Sequence, residues 1–423
     1  MTESAVPAAP ALRRTHDQLL LCGICLGYFM VLLDASVLNI ALPSISADLG
    51  GSATGQEWTI SAYLVAFGGL LLSGGGVTDR YGARRVFLLG VGGFAVASAL
   101  CAAAPSLGLL IGFRVLQGAS AALIPSSTLA LLAALRPDPA ERHRAMGLFA
   151  LVTGVGFAAG PVLGGVLLAV GDWRLLFVVN LPVAVIAMAV GRVAPPVGRR
   201  PARLDLVAQG AMVLAGTLLV FSVIEGSGHP SRLLWSVPAT VTALLLVVAA
   251  ERRSPSPALP AQVLHAPGIA VATALGFGIQ VILAGGLFVL GIYLVGVRAL
   301  SPARAGLVTL PFTLGPLLGP WVGRFGARAG ARTSVLLGLV LIAAGMTAAG
   351  WTVATGAALP VTMLALLIAA PGLPLTIIPI TMMTVAGAPA GYAGVAGGLF
   401  NAARQIGGAV GVGALGGVLR AGT

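Results

Sequence analysis

Lysine is absent from this 423-residue chain, and charged residues of every kind make up only 9% of it. A soluble domain carries about 25% charged residues, so this chain has too little charge to cover its surface against water. Glycine, with 60 residues, forms neither a collagen repeat nor a polar low-complexity tract, which excludes fibres and disorder. The three cysteines, Cys22, Cys25 and Cys101, stand in apolar runs and fit small apolar filler better than a metal or redox pair.

Long apolar runs are what the chain has instead. Hydrophobic residues make up 58% of the sequence, and the mean hydropathy is +1.02. A membrane-spanning helix needs about 20 mostly apolar residues. Runs of this kind lie at 19–43, 57–77, 86–104, 107–134, 144–169, 175–193, 205–224, 234–250, 268–297, 305–323, 333–353, 358–385 and 392–419. The sequence therefore predicts an all-α polytopic membrane protein with about 13 transmembrane helices.

Two polar stretches, 194–204 and 251–260, divide these runs and enclose two of them. Six runs precede the enclosed pair and five follow it, which indicates two helical bundles joined by an inserted two-helix hairpin. We expect a cytoplasmic N-terminal tail over 1–18, a six-helix bundle over 19–193, a linker with two extra transmembrane helices over 194–260, and a C-terminal bundle over 261–423.

The charge of the loops predicts their sidedness. All 24 basic residues are arginine and give a formal net charge of +12, which could indicate nucleic-acid binding. With the N-terminus inside, however, 17 arginines fall on the cytoplasmic side and 5 on the other. This bias follows the positive-inside rule, so the basic excess predicts topology rather than a nucleic-acid partner.

Polar residues interrupt two runs of the first bundle. Asp34 and Asn39 lie in the first run, and Arg114 and Gln117 lie in the fourth. A charge inside the hydrocarbon costs a few kcal/mol and is usually functional, although a hydrated helix end is the alternative for Asp34. A buried guanidinium needs carbonyl or carboxylate partners and can tune a nearby acid, although Arg114 could also be purely structural.

Two glycine motifs accompany these polar residues. The first joins the second and third runs and reads Gly75-Gly76-Val77-Thr78-Asp79-Arg80-Tyr81-Gly82-Ala83-Arg84-Arg85. Its glycines permit a sharp turn, and its arginines can reach acidic groups or lipid phosphates. The second, in the fifth run, reads Gly156-x-x-x-Gly160-Pro161-x-x-Gly164-Gly165. Small residues four apart allow close helix contact and proline kinks a helix, so this motif fits an interface that opens and closes.

Together these motifs resemble those of the major facilitator superfamily, in particular its fourteen-helix drug:proton antiporter branch. Segments 172–182 and 393–408 look like the family's opening of helix 6 and its penultimate helix. The resemblance covers nearly the whole chain and implies alternating access between two bundles. Two departures stand out. With 13 runs, the C-terminal bundle lacks the family's last helix, and Ala83 stands where the family usually has a basic residue.

The carboxylates limit where a proton can be carried, because no Asp or Glu follows Glu251. Asp34 is the candidate proton-coupling residue, Arg114 the group that tunes it, and Glu225 the second candidate, with an interface role beside Gly226 as its alternative. Each charge in a low dielectric needs a partner. A neutral, zwitterionic or singly charged amphiphile therefore fits better than a dication.

The remaining candidates fall into two groups. The conformational or gating residues are Gly75, Asp79, Arg80, Gly82, Arg84, Arg85, Gly156, Gly160, Pro161 and Gly164. The candidate substrate-cavity residues are Asn39, Tyr63, Gln117, Asn401, Arg404 and Gln405.

No nucleotide-binding loop, metal cluster or nucleophile–base pair stands in the sequence, so we expect no enzyme, no cofactor and no metal. The expected function is proton-coupled export of amphiphilic drugs or antibiotics from the cell across its cytoplasmic membrane. The expected partners are an amphiphilic small molecule, protons and the lipid bilayer, without nucleic acid, for a monomeric protein. Two alternatives stay open: an importer or metabolite exporter of the same superfamily, and a transport-inactive membrane sensor.

Overall fold

The computed structural model describes residues 10–136, 138–197, 205–254, 257–389 and 392–421, and every regular element within these ranges is a helix. The helices that precede the first polar break are α1 (Pro10–Leu49), α2 (Ala53–Tyr81), α3 (Ala83–Ala102), α4 (Leu107–Ala121), α5 (Ile124–Leu135), α6 (Pro139–Val170), α7 (Leu175–Val178) and α8 (Asn180–Val193).

Two long helices form the hairpin between the breaks: α9 (Leu206–Gly228) and α10 (Leu233–Arg253), joined through a 3-10 turn at Pro230–Arg232. The helices that follow are α11 (Ala261–Leu264), α12 (Ile269–Ile292), α13 (Pro302–Thr313), α14 (Gly319–Ala329), α15 (Ala331–Thr355), α16 (Leu359–Ala369), α17 (Gly372–Ala386) and α18 (Ala393–Ala421). A π-helical turn, Tyr293–Val297, extends α12, and a 3-10 turn, Gly315–Leu318, joins α13 to α14.

Twelve helical segments in the described ranges are long and apolar enough to cross a membrane, from Gln18–Leu49 to Leu359–Ala386. They match the first twelve predicted runs. The thirteenth run forms α18, which is 29 residues long but less apolar, since it is rich in glycine and carries Arg404 and Arg420. The prediction of an all-α polytopic membrane protein is confirmed.

Each bundle has its own apolar core. In the first, α1 packs against α6 and α8, while α3 packs against α4 and α8. In the second, α12 packs against α18, and α15 packs against α16 and α17. The bundles meet along two seams, α2 against α18 and α6 against α13. Any solute that crosses between the bundles must separate one end of these seams.

The hairpin lies beside the first of these seams. Helix α9 packs against both α2 and α18, whereas α10 packs mainly against α9. Val213 of α9 approaches Gly69 of α2, and Gly216 of α9 approaches Ile406 of α18. The hairpin therefore contacts both bundles through a single helix. The predicted limits of the tail and of the linker stay predictions, since 1–9, 198–204 and 255–256 lie outside the described residues.

Short polar caps begin several of the membrane helices. Ser52, Ser106 and Ser301 accept hydrogen bonds from backbone N–H groups in the first turns of α2, α4 and α13. Asp205 caps α9, and the N–H of Ala208, which donates to its carboxylate over 2.9 Å, lowers the pKa of Asp205. Such caps satisfy backbone N–H groups that have no partner within the first turn of a helix.

Candidate functional site

Asp34 and Arg114 meet in the interior of the first bundle. Asp34 lies in α1 and Arg114 in α4, and their exposed fractions are 0% and 1%. Arg114 Nη1 donates a hydrogen bond to Asp34 Oδ2 over 2.5 Å. Both charges are taken out of water, which is tolerated only where further hydrogen bonds complete the pair.

Two side-chain amides, one from α4 and one from α8, complete the contacts of the Asp34 carboxylate. Gln117 Nε2 donates to Asp34 Oδ1 over 2.9 Å, and Asn180 Nδ2 donates to the same oxygen over 3.1 Å. Ser98 accepts bonds from both amides and donates to the carbonyl of Phe177. All three partners of Asp34 are donors, an arrangement that suits the ionised carboxylate.

Arg114 is held by α2 as well. Its Nε donates to the carbonyl of Thr59 over 3.1 Å, and its Nη1 donates to Gln117 Oε1 over 2.6 Å. Its guanidinium lies 4.2 Å from the ring centroid of Tyr63. The pair thus connects α1, α2 and α4. A change in its charge alters the hydrogen bonds between all three helices.

Asn180 was not among the sequence candidates, and its Oδ1 is buried without a hydrogen-bond partner among the described residues. An amide can exchange its oxygen and nitrogen by a half-turn. In that orientation the oxygen of Asn180 would face a protonated Asp34 and accept its hydrogen. Its place directly at the start of α8, in a stretch that resembles a family motif, was the available signal.

Two of the predicted cavity residues, Tyr63 and Gln117, belong to this buried network. Asn39 instead lines a narrow cavity of about 20 Å³ between the bundles, together with Pro161 of α6, Gly291 of α12 and Thr309 of α13. A cavity of this size holds about one water molecule. The bundles are therefore closely packed at this level.

The other three predicted cavity residues lie on α18. Arg404 donates to Asn401 Oδ1 over 3.3 Å and to Gln280 Oε1 of α12 over 3.4 Å. The Cβ of Gln405 faces Gly68 of α2, where a methyl group would lie 2.8 Å away. Arg404 thus contacts α12 within the second bundle, while Gln405 lies at the seam with the first.

Glu225 lies far along α9, away from the Asp34 network. Trp58 Nε1 donates to it over 3.2 Å, and Arg232 forms an ion pair with its other oxygen. The carboxylate is thus a paired group at the end of the hairpin helix. Its predicted part in proton coupling stays a prediction.

A second buried carboxylate, Glu57, escaped the sequence analysis. Arg420 of α18 donates to Glu57 Oε1 over 2.6 Å and to Thr54 over 3.1 Å. The same guanidinium donates to the Ile224 carbonyl over 2.9 Å and to Ser227 Oγ over 2.5 Å. One arginine therefore ties α2, α9 and α18 together at the predicted outer end. Nothing in the sequence relates residues 57 and 420, since only the fold brings them together.

The glycine motif that joins the second and third runs, Gly75 to Arg85, is mostly helical. Gly75, Asp79 and Arg80 lie within α2, and Arg84 and Arg85 lie in the first turn of α3. The only residue between the two helices is Gly82, whose φ of +88° is a conformation that other residues rarely adopt. The expected linking loop is therefore reduced to a one-residue turn. A cavity of about 440 Å³ opens beside it, lined in part by Arg84 and Arg85.

The second glycine motif, Gly156 to Gly165, lies where α6 contacts α1 of its own bundle and α13 of the other bundle. A Cβ at Gly156 would lie 2.8 Å from the Phe29 carbonyl of α1, and one at Gly160 would collide with Ser36 Oγ. Gly164 faces Val37, also on α1. The carbonyl of Pro161 meets Gly306 of α13 in the opposite bundle. The motif therefore lies where α6 touches both partners.

Known proteins share this sequence pattern over nearly its full length. The sequence profile of the Major Facilitator Superfamily matches residues 24–412. The chain belongs to the Major Facilitator Superfamily. It is therefore a multi-pass membrane transporter that handles small molecules, and not an enzyme.

Relatives and solved structures of the superfamily agree with this placement. The methylenomycin A resistance protein of Streptomyces coelicolor is 33% identical over 401 residues, which are 94% of this chain and 84% of the relative. The tetracenomycin C resistance and export protein of Streptomyces glaucescens is 33% identical over 405 residues, 94% and 74% of the two chains. The xylose transporter XylE from E. coli, in a partially occluded inward open conformation, has a TM-score of 0.64 at 14% identity, with 96% and 98% of the chains covered. This last likeness bears on the fold alone.

Proposed function

We propose that this protein exports amphiphilic drugs or antibiotics from the cell in exchange for protons. The observation that carries the proposal is the fully buried pair of Asp34 and Arg114, a titratable group held inside a membrane helix bundle. Ionisable groups in such positions mark proton and substrate pathways. The resistance and export functions named for its relatives support the substrate class.

The cycle couples the charge of Asp34 to the position of the bundles. On the outer side a proton neutralises Asp34, frees Arg114 from its ion pair and accompanies substrate release. On the inner side Asp34 loses the proton, the ion pair forms again, and substrate binds. Each proton that moves inward gains about 2.3 kcal/mol per 100 mV. That free energy sustains export against a concentration gradient.

The arginine distribution supports a cytoplasmic N-terminus. The exported compound is then released on the opposite side of the membrane. The protein then works in the cytoplasmic membrane as a monomer, without a nucleic-acid partner. Two rocking bundles with a site near the midplane are sufficient for this activity.

Transport into everted membrane vesicles tests the proposal. With a panel of neutral, anionic and cationic drugs, the wild type should accumulate at least one compound inside the vesicles when their lumen is made acidic, because the lumen of an everted vesicle corresponds to the outer side of the cell. Asp34→Asn should abolish that accumulation while the protein stays inserted. Asp172→Asn, the same chemical change on a half-exposed carboxylate, is the matched control and should transport normally. Normal proton-driven uptake by Asp34→Asn would refute the proposal.

A further inference from the structure

Arg404 carries a positive charge into the second bundle without an acidic partner. None of the ion pairs among the described residues includes it, and no Asp or Glu occurs in the sequence after Glu251. Arg114 is the contrasting case, since its charge is balanced by Asp34 at 2.5 Å. Arg404 is half-buried, and a guanidinium partly withdrawn from water favours a negative partner.

The neutral contacts of Arg404 leave most of its hydrogen-bonding capacity unused. Its bonds to Asn401 and Gln280 are 3.3 Å and 3.4 Å long, at the far end of the hydrogen-bond range. Its Nε is buried and has no partner among the described residues. A guanidinium has five N–H donors in a planar fork, an arrangement that suits an oxyanion.

We propose that Arg404 binds the anionic group of a singly charged organic acid. The proposal rests on the transport function proposed above and names its substrate class. A single unbalanced guanidinium selects one negative charge and repels cations.

Equilibrium binding to the full-length protein in lipid nanodiscs tests this directly, without any proton gradient. The probes are naphthalene-2-sulfonate, a permanent monoanion, and naphthalene-2-sulfonamide, its neutral counterpart. The wild type should bind the sulfonate about tenfold or more tightly than the sulfonamide, because hydrogen bonds to charged groups are worth more than neutral ones. Equal affinities of the wild type for the two probes would overturn the proposal.

Variants assign the preference to Arg404. Arg404→Gln should bind both probes equally, and Arg404→Lys should keep part of the preference. Arg304→Gln removes an exposed arginine at the start of α13 and should behave as the wild type. A full preference in Arg404→Gln would also overturn the proposal. Should Arg404→Gln fail to fold, the wild-type comparison and Arg404→Lys still decide.

The two proposals fail in distinguishable ways. If the sulfonate binds selectively but no compound is moved by a proton gradient, the anion site stands and proton-driven export is wrong. If proton-driven export occurs but the two probes bind equally, export stands and the anion site is wrong.

Discussion

Arg114 on α4 donates a 2.5 Å hydrogen bond to Asp34 on α1, and both side chains are sealed from solvent inside the first bundle. Gln117, Asn180 and Ser98 surround the pair, so the network joins side chains of four helices, α1, α3, α4 and α8. Protonation of Asp34 therefore alters hydrogen bonds that join most helices of the bundle. This gives a single proton a structural effect on the transporter.

Removal of Arg114 should destabilise the protein. Arg114→Leu leaves Asp34 as a buried charge without its partner, which costs about 3–5 kcal/mol. The apparent Tm in detergent should fall clearly below that of the wild type. A second substitution in the same chain, Asp34→Asn, should recover most of the loss, because the charge is gone as well. A double variant as unstable as the single one would contradict the assignment of this cost to the pair.

The contact of Glu57 with Arg420 should hold the predicted outer end closed. Arg420→Gln removes hydrogen bonds to a buried carboxylate, worth about 1–3 kcal/mol, and should raise the open population roughly tenfold. Spin labels at Ala53 of α2 and Val418 of α18 report the change as a longer distance. Arg420→Lys, which keeps a cation opposite Glu57, should keep a distance closer to that of the wild type. An unchanged distance in Arg420→Gln would show that this contact does not hold the end closed.

Gly160 should tolerate no side chain. Gly160→Ala places a methyl group against Ser36 Oγ and 3.0 Å from the backbone nitrogen of Val37, which costs about 1–3 kcal/mol through overpacking. Transport rate and Tm should both fall, and Ser36→Gly in the same chain should recover part of each. Gly147→Ala on the same helix has open space around it and is the control. Wild-type behaviour of Gly160→Ala would argue against a close α1–α6 contact.

The one-residue turn between α2 and α3 should require glycine. Gly82→Ala must adopt a φ of +88°, which costs about 1–2 kcal/mol. The midpoint of thermal unfolding should drop for Gly82→Ala. It should stay unchanged for Gly75→Ala, where a Cβ meets open space. Equal midpoints for the two variants would mean that the turn is not constrained as described.

Much of this architecture could be predicted from the sequence. Twelve apolar runs became membrane-spanning helices, and the rarity of charge in them pointed to Asp34 and Arg114 before any contact was known. A single charged residue among apolar residues can be recognised from the sequence alone, without knowledge of its contacts.

Other features needed the fold. Glu57 and Arg420 stand near run ends, where a charge is ordinary, and only tertiary packing brings them together. The glycines of the Gly75–Arg85 motif predict a turn between two helices, but α2 continues through Asp79 as far as Tyr81. The placement of Gln117 in the buried network rather than beside open space also depended on how α4 is rotated against α1.

Infrared titration of the purified protein in lipid tests the central claim, that Asp34 carries the proton. As the pH is lowered, the wild type should show the carbonyl stretch of a newly protonated buried carboxyl group. This band should be weakened in Asp34→Asn, and the component that is lost there should be present in Glu57→Gln. A full band in Asp34→Asn, or its loss only in Glu57→Gln, would contradict the claim and assign the proton to another carboxylate.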